Sequence, residues 1–188
     1  MPIELLSPAG DMERLSMAVA YGADAVYLAG NSFGMRSFAG NFSNDRLADA
    51  VSFCKEHHVD VHVTCNTMPR NQEMTVLPRY LSFLEESGVT AVIVADIGVF
   101  QMVRKYAPSL KIHVSTQANI VNYEAACAWY ELGASRVILA RELSLNEILE
   151  IRAKTPATLE LETFVHGSMC VSYSGRCLLS NYMTGRDS

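Results

Sequence analysis

Two cysteines seven residues apart, Cys170 and Cys177, lie in a glycine- and serine-rich stretch near the end of a 188-residue chain. That spacing is too long for a zinc knuckle or a thioredoxin-like pair. It suits two thiolates that wrap a larger inorganic centre from one loop, as iron–sulfur clusters with cysteine ligands require. On spacing alone, two free structural thiols are the simpler alternative. His166 stands four residues before Cys170, so a Cys–His nucleophile and base are conceivable, but no third, orienting partner is evident. A zinc protease would show a His-Glu-x-x-His helix, and His57-His58 has no such context.

These residues need elements to position them. Short β-branched or apolar runs alternate with amphipathic stretches along the whole chain. The pattern predicts strands over residues 4–6, 25–28, 60–65, 91–95, 111–115, 136–140 and 159–165. It predicts helices over 11–21, 44–57, 76–87, 98–106, 123–132 and 145–153. Gly22, Gly88 and Gly133 follow helices as C-terminal caps do, and Ser43, Asp96, Asn122 and Ser144 are N-caps. Seven strands joined by helical crossovers imply a parallel sheet.

One phrase recurs as Gly-Ala-Asp-Ala-Val (22–26), Gly-Val-Thr-Ala-Val (88–92) and Gly-Ala-Ser-Arg-Val (133–137), each time ending a helix and starting a strand. A repeated β/α unit favours a barrel over an open doubly wound sheet. No Gly-x-Gly-x-x-Gly follows the first strand, which argues against a dinucleotide-binding fold. The fold class is therefore α/β, a TIM-like (β/α) barrel. It is incomplete at about seven parallel strands, because a full barrel takes about 250 residues. Residues 1–188 are accordingly read as one barrel domain of a longer protein. Its exposed strand edges predict self-association into a homo-oligomer.

In parallel barrels the active site forms at the C-terminal ends of the strands. Here those ends carry Ser7-Pro-Ala-Gly10, the run from Gly30 to Arg36, Cys65-Asn66, Asp96, Ser115-Thr-Gln-Ala-Asn119, Arg141-Glu142 and His166-Gly-Ser-Met-Cys170. Arg36, Gln117 and Arg141 would converge on one mouth and hold an anionic ligand by paired donors. Plainer alternatives stand beside this. Ser7, Asp96 and Ser115 would cap the following helices, Asn66 and Asn119 are turn formers, and Arg141-Glu142 would be a solvated pair. His62 and His113, inside strands, are expected to be satisfied core or barrel-lining residues.

Composition sets the outer limits. Hydrophobic residues make up 49% and charged residues 19%, a globular balance. A net charge of -5 argues against a generic polyanion binder, since phosphate contacts need clustered Lys and Arg, but not against an RNA handled by a few local arginines or by a missing region. No apolar run approaches the roughly 20 residues of a membrane span, so no membrane association is expected. Five cysteines (54, 65, 127, 170 and 177) and no export signal point to reduced thiols and a cytoplasmic location.

The segment from Glu162 to Ser180 resembles the signature of the collagenase-like peptidase family, U32. Glu162, Phe164, Gly167, Ser168, Met169, Cys170, Gly175, Cys177, Leu179 and Ser180 fit its specified positions. The opening from Glu4 to Asp11, the stretch from Ala23 to Gly30 with Phe33-Gly-Met-Arg36, and Ser115-Thr-Gln117 are similar to the same family. The likeness thus spans the chain. It implies one of two activities: collagenase-like proteolysis, or oxygen-independent hydroxylation of the tRNA wobble uridine (with prephenate), of an rRNA cytidine, or of ubiquinone precursors. In the hydroxylating members four cysteines bind a [4Fe–4S] cluster, and the first two match Cys170 and Cys177; the others would follow Ser188.

The resulting expectation is an RNA-hydroxylating enzyme of the tRNA wobble-uridine branch, with tRNA or rRNA as its substrate partner. In it Glu162, His166, Gln117 and Arg141 line the pocket. Arg36 and Arg176 contact an anionic cofactor or co-substrate such as prephenate, and Cys170 and Cys177 are cluster ligands. Another copy or a second family member is the expected protein partner. A peptidase acting on unfolded or collagen-like chains is the alternative.

Overall fold

Neighbouring strands pair over two to four residues, so each strand is short. The computed structural model describes residues 3–34, 41–167, 169–177 and 182. In chain order the elements are β1 (Leu6–Pro8), α1 (Met12–Ala20), β2 (Ala25–Leu28), α2 (Asn44–Glu56), β3 (Asp60–Cys65), α3 (Asn71–Met74) and α4 (Leu77–Glu86). They continue as β4 (Ala91–Val94), α5 (Ile97–Tyr106), β5 (Lys111–Val114), a 3₁₀ turn (Thr116–Ala118), α6 (Tyr123–Leu132), β6 (Arg136–Ile138), α7 (Leu145–Lys154) and β7 (Glu160–Glu162). All seven strands pair in parallel and in sequence order, from β1 to β7. This is the expected α/β architecture: an incomplete TIM-like barrel of seven parallel strands with its helices outside.

Local chemistry starts and stops the helices where the sequence predicts. Side-chain oxygens of Ser43, Asp96, Asn122 and Ser144 accept from backbone N–H groups of the first turn, at 3.4, 2.9, 2.9 and 3.4 Å. Ser144 also donates its backbone N–H to Glu147, which completes a capping box on α7. Gly133 closes α6 at φ +111°, where a side chain would be strained. In α2, Leu47, Ala50, Val51 and Cys54 recur at helical spacing and are buried, as are Leu77, Tyr80, Leu81 and Leu84 in α4. They pack on the outward strand residues Val26, Leu28, Val61, Val63, Val92, Val94, Ile112, Val114 and Val137. Each large apolar side chain buried there contributes about 1.5–3 kcal/mol.

Several elements differ from expectation. The first strand lies at 6–8 rather than 4–6, because the Leu5 carbonyl accepts from both Asp24 and Ala25 and sets the register Leu6↔Ala25. Pro8 is tolerated there because β1 is an edge strand. The last strand pairs over three residues only, since β6 offers it three partners. The short α3, which has no amphipathic period, was not predicted.

Strand residues alternate in direction, so the register turns His62, His113, Arg136, Glu160 and Glu162 into the barrel. Such interiors are usually filled by branched apolar side chains; this one is polar. His62 and His113 are each 1% exposed, with rings edge to face at 4.6 Å. They line the barrel as expected but are not satisfied: among the described residues, His62 Nδ1 and both ring nitrogens of His113 have no hydrogen-bond partner.

Burial holds the His62 imidazole down to about 4 and that of His113 to about 2, with Arg136 adding to both shifts. Both are neutral in the folded protein, while in the unfolded chain they charge below about 6.5. Stability from these groups is therefore complete above that value and is lost as pH falls from about 6.5 towards 4. Glu162, whose carboxyl burial raises, opposes the trend near its own range. We expect urea midpoints to fall across this window, and His113→Phe to flatten the decline. An unchanged pH slope in that variant would show that the histidines are not its cause.

Candidate active site

Two arginines at β6 organise the chemistry-bearing residues. The first, Arg136, points inward with a side chain only 10% exposed. Its guanidinium grips both carboxylate oxygens of Glu4, 132 residues away, at 2.6 and 2.9 Å, and reaches Glu160 at 2.6 Å and Glu162 at 3.2 Å. Burial alone would disfavour its charge, but the carboxylates around it hold it firmly protonated. Glu4 is correspondingly held below the usual carboxylate range, chiefly by its hydrogen bonds from Arg136. Glu162 goes the other way: burial raises its carboxyl despite Arg136.

Arg141, in the turn after β6, holds the cysteine loop. Its Nη1 donates to the Cys170 carbonyl at 2.7 Å, its Nη2 to the Ser172 carbonyl at 2.9 Å, and its Nε to Ser174 Oγ at 3.3 Å. The neighbouring Glu142 accepts from the backbone N–H of Ser174 at 2.9 Å and from its hydroxyl at 3.3 Å. Burial pushes the Glu142 carboxyl up, but these bonds outweigh it and leave it below the usual range. Ser174 itself is buried. Next to it, Gly175 adopts φ +70° with its Cα against the backbone of Gln117, where a Cβ would collide with the Gln117 carbonyl. The loop is therefore seated on the 3₁₀ turn that follows β5. Ser115 fixes that turn by accepting from Gln117 N at 3.3 Å and donating to its side-chain oxygen at 3.4 Å. Thr116 ties it to β6 through the Leu139 carbonyl.

Within the loop, the Ser172 N–H points at Cys170 Sγ at 3.4 Å. A donor to sulfur stabilises thiolate character and is a recognised lever on metal–thiolate centres. Cys170 is exposed and Cys177 half-buried. The two thiols amount to half of a four-cysteine set. Among the described residues no group of three or more His, Cys, Asp or Glu is placed to hold a metal, so the chain's described part does not complete a cluster site.

The structure thus brings Gln117, Arg141 and the Cys170–Cys177 loop together at the mouth. Glu162 belongs to the Arg136 cluster inside the barrel. His166 and Arg176 lie exposed on the loop, and no hydrogen bond among the described residues joins His166 to Cys170. Arg36 falls outside the described residues. Sequence reasoning missed Arg136, and a signal for it was present. In the repeated phrase, Ala25 and Ala91 occupy the inward position that Arg136 takes. Ser174 was missed because a serine in a glycine-rich loop carries no mark of burial. Among the described residues no helix is long and apolar enough to cross a membrane.

Residues 10–188 match the model of Peptidase family U32. The chain is 45% identical over 185 residues to tRNA hydroxylation protein P1 of Bacillus subtilis (strain 168), covering 98% of this chain and 43% of that protein. It is 39% identical over 184 residues to the 23S rRNA 5-hydroxycytidine C2501 synthase of Escherichia coli (strain K12), covering 98% of this chain and 27% of that protein. The chain therefore spans less than half the length of these relatives. A solved U32 peptidase structure superposes with a TM-score of 0.72 over 86% of this chain and 68% of its own, at 20% identity. That is a likeness of fold.

If Arg141 seats the loop, Arg141→Ala removes charge-assisted bonds worth about 1.5–3 kcal/mol and raises loop opening by about ten- to a hundredfold. Hydrogen exchange over residues 169–177 reads this directly. Gly175→Ala should act in the same direction, since its side chain displaces the loop from Gln117. Unaltered exchange in both variants would mean that the loop is held elsewhere.

Proposed function

The chain belongs to Peptidase family U32, and on that premise we propose that it is the N-terminal barrel domain of an RNA-modifying enzyme that hydroxylates a tRNA base. One observation carries the reading. Near-complete coverage of this chain at 45% identity to a tRNA hydroxylation protein coincides with a loop that offers two thiols. In that loop backbone and guanidinium donors preset one sulfur's surroundings. In the finer reading the base is the wobble uridine, prephenate is the co-substrate, and Cys170 and Cys177 are two ligands of a [4Fe–4S] cluster completed from elsewhere in the longer protein.

Replacing a ring C–H with C–OH removes two electrons from the base and needs an oxygen source and an electron acceptor from outside this chain; a cluster held by Cys170 and Cys177 would supply one-electron transfer. The chain's own residues position the loop, hold a proton and contact anions. Arg141 and Glu142 hold the loop to the barrel mouth. Gln117 forms the floor on which Gly175 rests. Glu162 has Oε2 engaged by Arg136, and its raised affinity for a proton suits the carboxyl to hold or pass one. Arg176, exposed on the loop, is an anion contact for the phosphate backbone or for a carboxylate co-substrate.

The peptidase alternative needs a nucleophile paired with a base. It is supported by the family's name, whereas His166 and Cys170 share no hydrogen bond among the described residues.

The full-length protein, purified without oxygen, is expected to be brown and to contain iron and acid-labile sulfide. Cys170→Ala with Cys177→Ala should abolish the colour and reduce tRNA hydroxylation below detection while leaving the barrel folded by circular dichroism. A colourless, iron-free protein that still hydroxylates tRNA would refute the cluster reading. Cleavage of gelatin by the purified protein, lost on Cys170→Ala, would favour the peptidase.

A further inference from the structure

The loop that carries Cys170 is fastened through alternate residues. Arg141 donates to the carbonyls of Cys170 and Ser172, and Glu142 accepts from the backbone N–H of Ser174. The side chains between them are left outside: Val171 is 99% exposed and Tyr173 50%, whereas Ser174 is 1% exposed. The loop then closes in a tight turn. The Arg176 N–H donates to the Tyr173 carbonyl at 3.0 Å, with Ser174 and Gly175 as the central residues. Gly175, at φ +70°, is the left-handed residue of that turn and presses on the backbone of Gln117.

Tyr173 and Arg176 are the first and last residues of the turn, so their Cα atoms lie within about 7 Å of each other. Both are exposed, and in the chain both fall between the two thiols. An exposed tyrosine alone would say little. Here its backbone is bound on both sides, and a guanidinium stands at the other end of the same turn. Among the described residues no aromatic ring or cation packs on the Tyr173 ring.

A nucleotide offers the two complementary parts, a flat ring and an anionic phosphate. A ring carbon inside a base stack is out of an enzyme's reach, so chemistry on a base requires the nucleotide to leave the stack. Aromatic side chains restore the stacking that an unpaired base has lost, and arginines take the phosphate. A rigid backbone makes such a contact cheaper, because little freedom is lost when the ligand arrives.

We propose that Tyr173 and Arg176 form a clamp for one unstacked nucleotide of a single-stranded RNA segment. The base stacks on the Tyr173 ring, and Arg176 pairs with its phosphate. The inference rests on the proposed hydroxylation of RNA and narrows the substrate to an unpaired loop or end, excluding a continuous helix. The net charge of -5 suits this division of labour. A single local arginine on an acidic chain gives weak affinity for RNA backbone in general, which leaves stacking to decide what is held. A segment of protein covering the loop would use the Tyr173 ring only as apolar area, and that difference can be measured.

Binding of an unmodified tRNA transcript to the full-length protein, followed by fluorescence anisotropy over a range of salt, tests the clamp. Tyr173→Ala should weaken binding by about five- to a hundredfold, the usual worth of one stacked base, with the salt slope unchanged. Tyr173→Phe should keep the wild-type affinity and Tyr173→Leu should not, since leucine supplies apolar area without a stacking face. Arg176→Ala should reduce the slope of log affinity against log salt by about one. Tyr21→Ala, which removes an exposed tyrosine at the far end of α1, should change neither quantity. An RNA duplex should bind more weakly than tRNA and be indifferent to Tyr173→Ala. Wild-type affinity in Tyr173→Leu would overturn the proposal and mark the ring as cover for a segment of the longer protein. Wild-type affinity in Tyr173→Ala, in a protein that still hydroxylates tRNA, would overturn the clamp alone. A wild-type protein that neither binds nor hydroxylates tRNA would overturn the clamp and the proposed function together.

Discussion

The ion cluster centred on Arg136 is the constraint from which the rest of the structure follows. A sheet of seven parallel strands has no closing bond of its own, and an open sheet of this size would be free to flatten. The guanidinium of Arg136 ties the segment before β1 to β6 and β7 through the barrel interior. Putting these charges inside costs desolvation energy that their mutual attraction only partly repays. What the cluster supplies is geometry: the first and last strands are held in one curve, and their C-terminal ends face one mouth. The neutral histidines beside it add to the same polar interior, at the expense of stability in acid.

β6 then does double duty within six residues. Arg136 faces the interior and organises the barrel. Arg141, one turn beyond the strand, faces the mouth and organises the loop that bears Cys170. The two arginines differ in their partners as well as in place. Carboxylates surround the first, and two of the second's three guanidinium bonds go to backbone carbonyls of a loop with little secondary structure. A planar, permanently charged fork with five donors can hold an irregular loop in this way, and an ammonium on a flexible stem would hold it less well. A site with exposed thiols is thereby given a rigid seat without any regular element of its own.

The expected roles of the site residues divide along the same line. Gln117, Arg141 and the cysteine loop meet because β5, β6 and β7 are neighbours in the ring, which the element order already implied. Glu162 was grouped with them as a strand-end residue, yet its partner is Arg136. That pairing was not visible locally, because nothing within several residues of Glu162 marks Arg136 as its neighbour. The histidines at 62 and 113 were correctly placed inside the strands. Their lack of hydrogen-bond partners depends on what lies across the barrel, which a strand's own pattern does not record.

By itself the sequence determined the alternation of strands and helices, the helix caps and the parallel β/α architecture. Each of these depends on contacts within one turn or on the periodic face an element must bury. The resemblance in the last strand and loop likewise lay in the order of residues. Only the tertiary structure decided that Arg136 meets Glu4 across 132 residues, that Gly175 must lack a side chain because Gln117 lies beneath it, and that Arg141 spends its donors on the Cys170 loop. These are contacts between chain segments far apart in order. They arise from the curvature of the sheet, and curvature is a property of how the strands pack together.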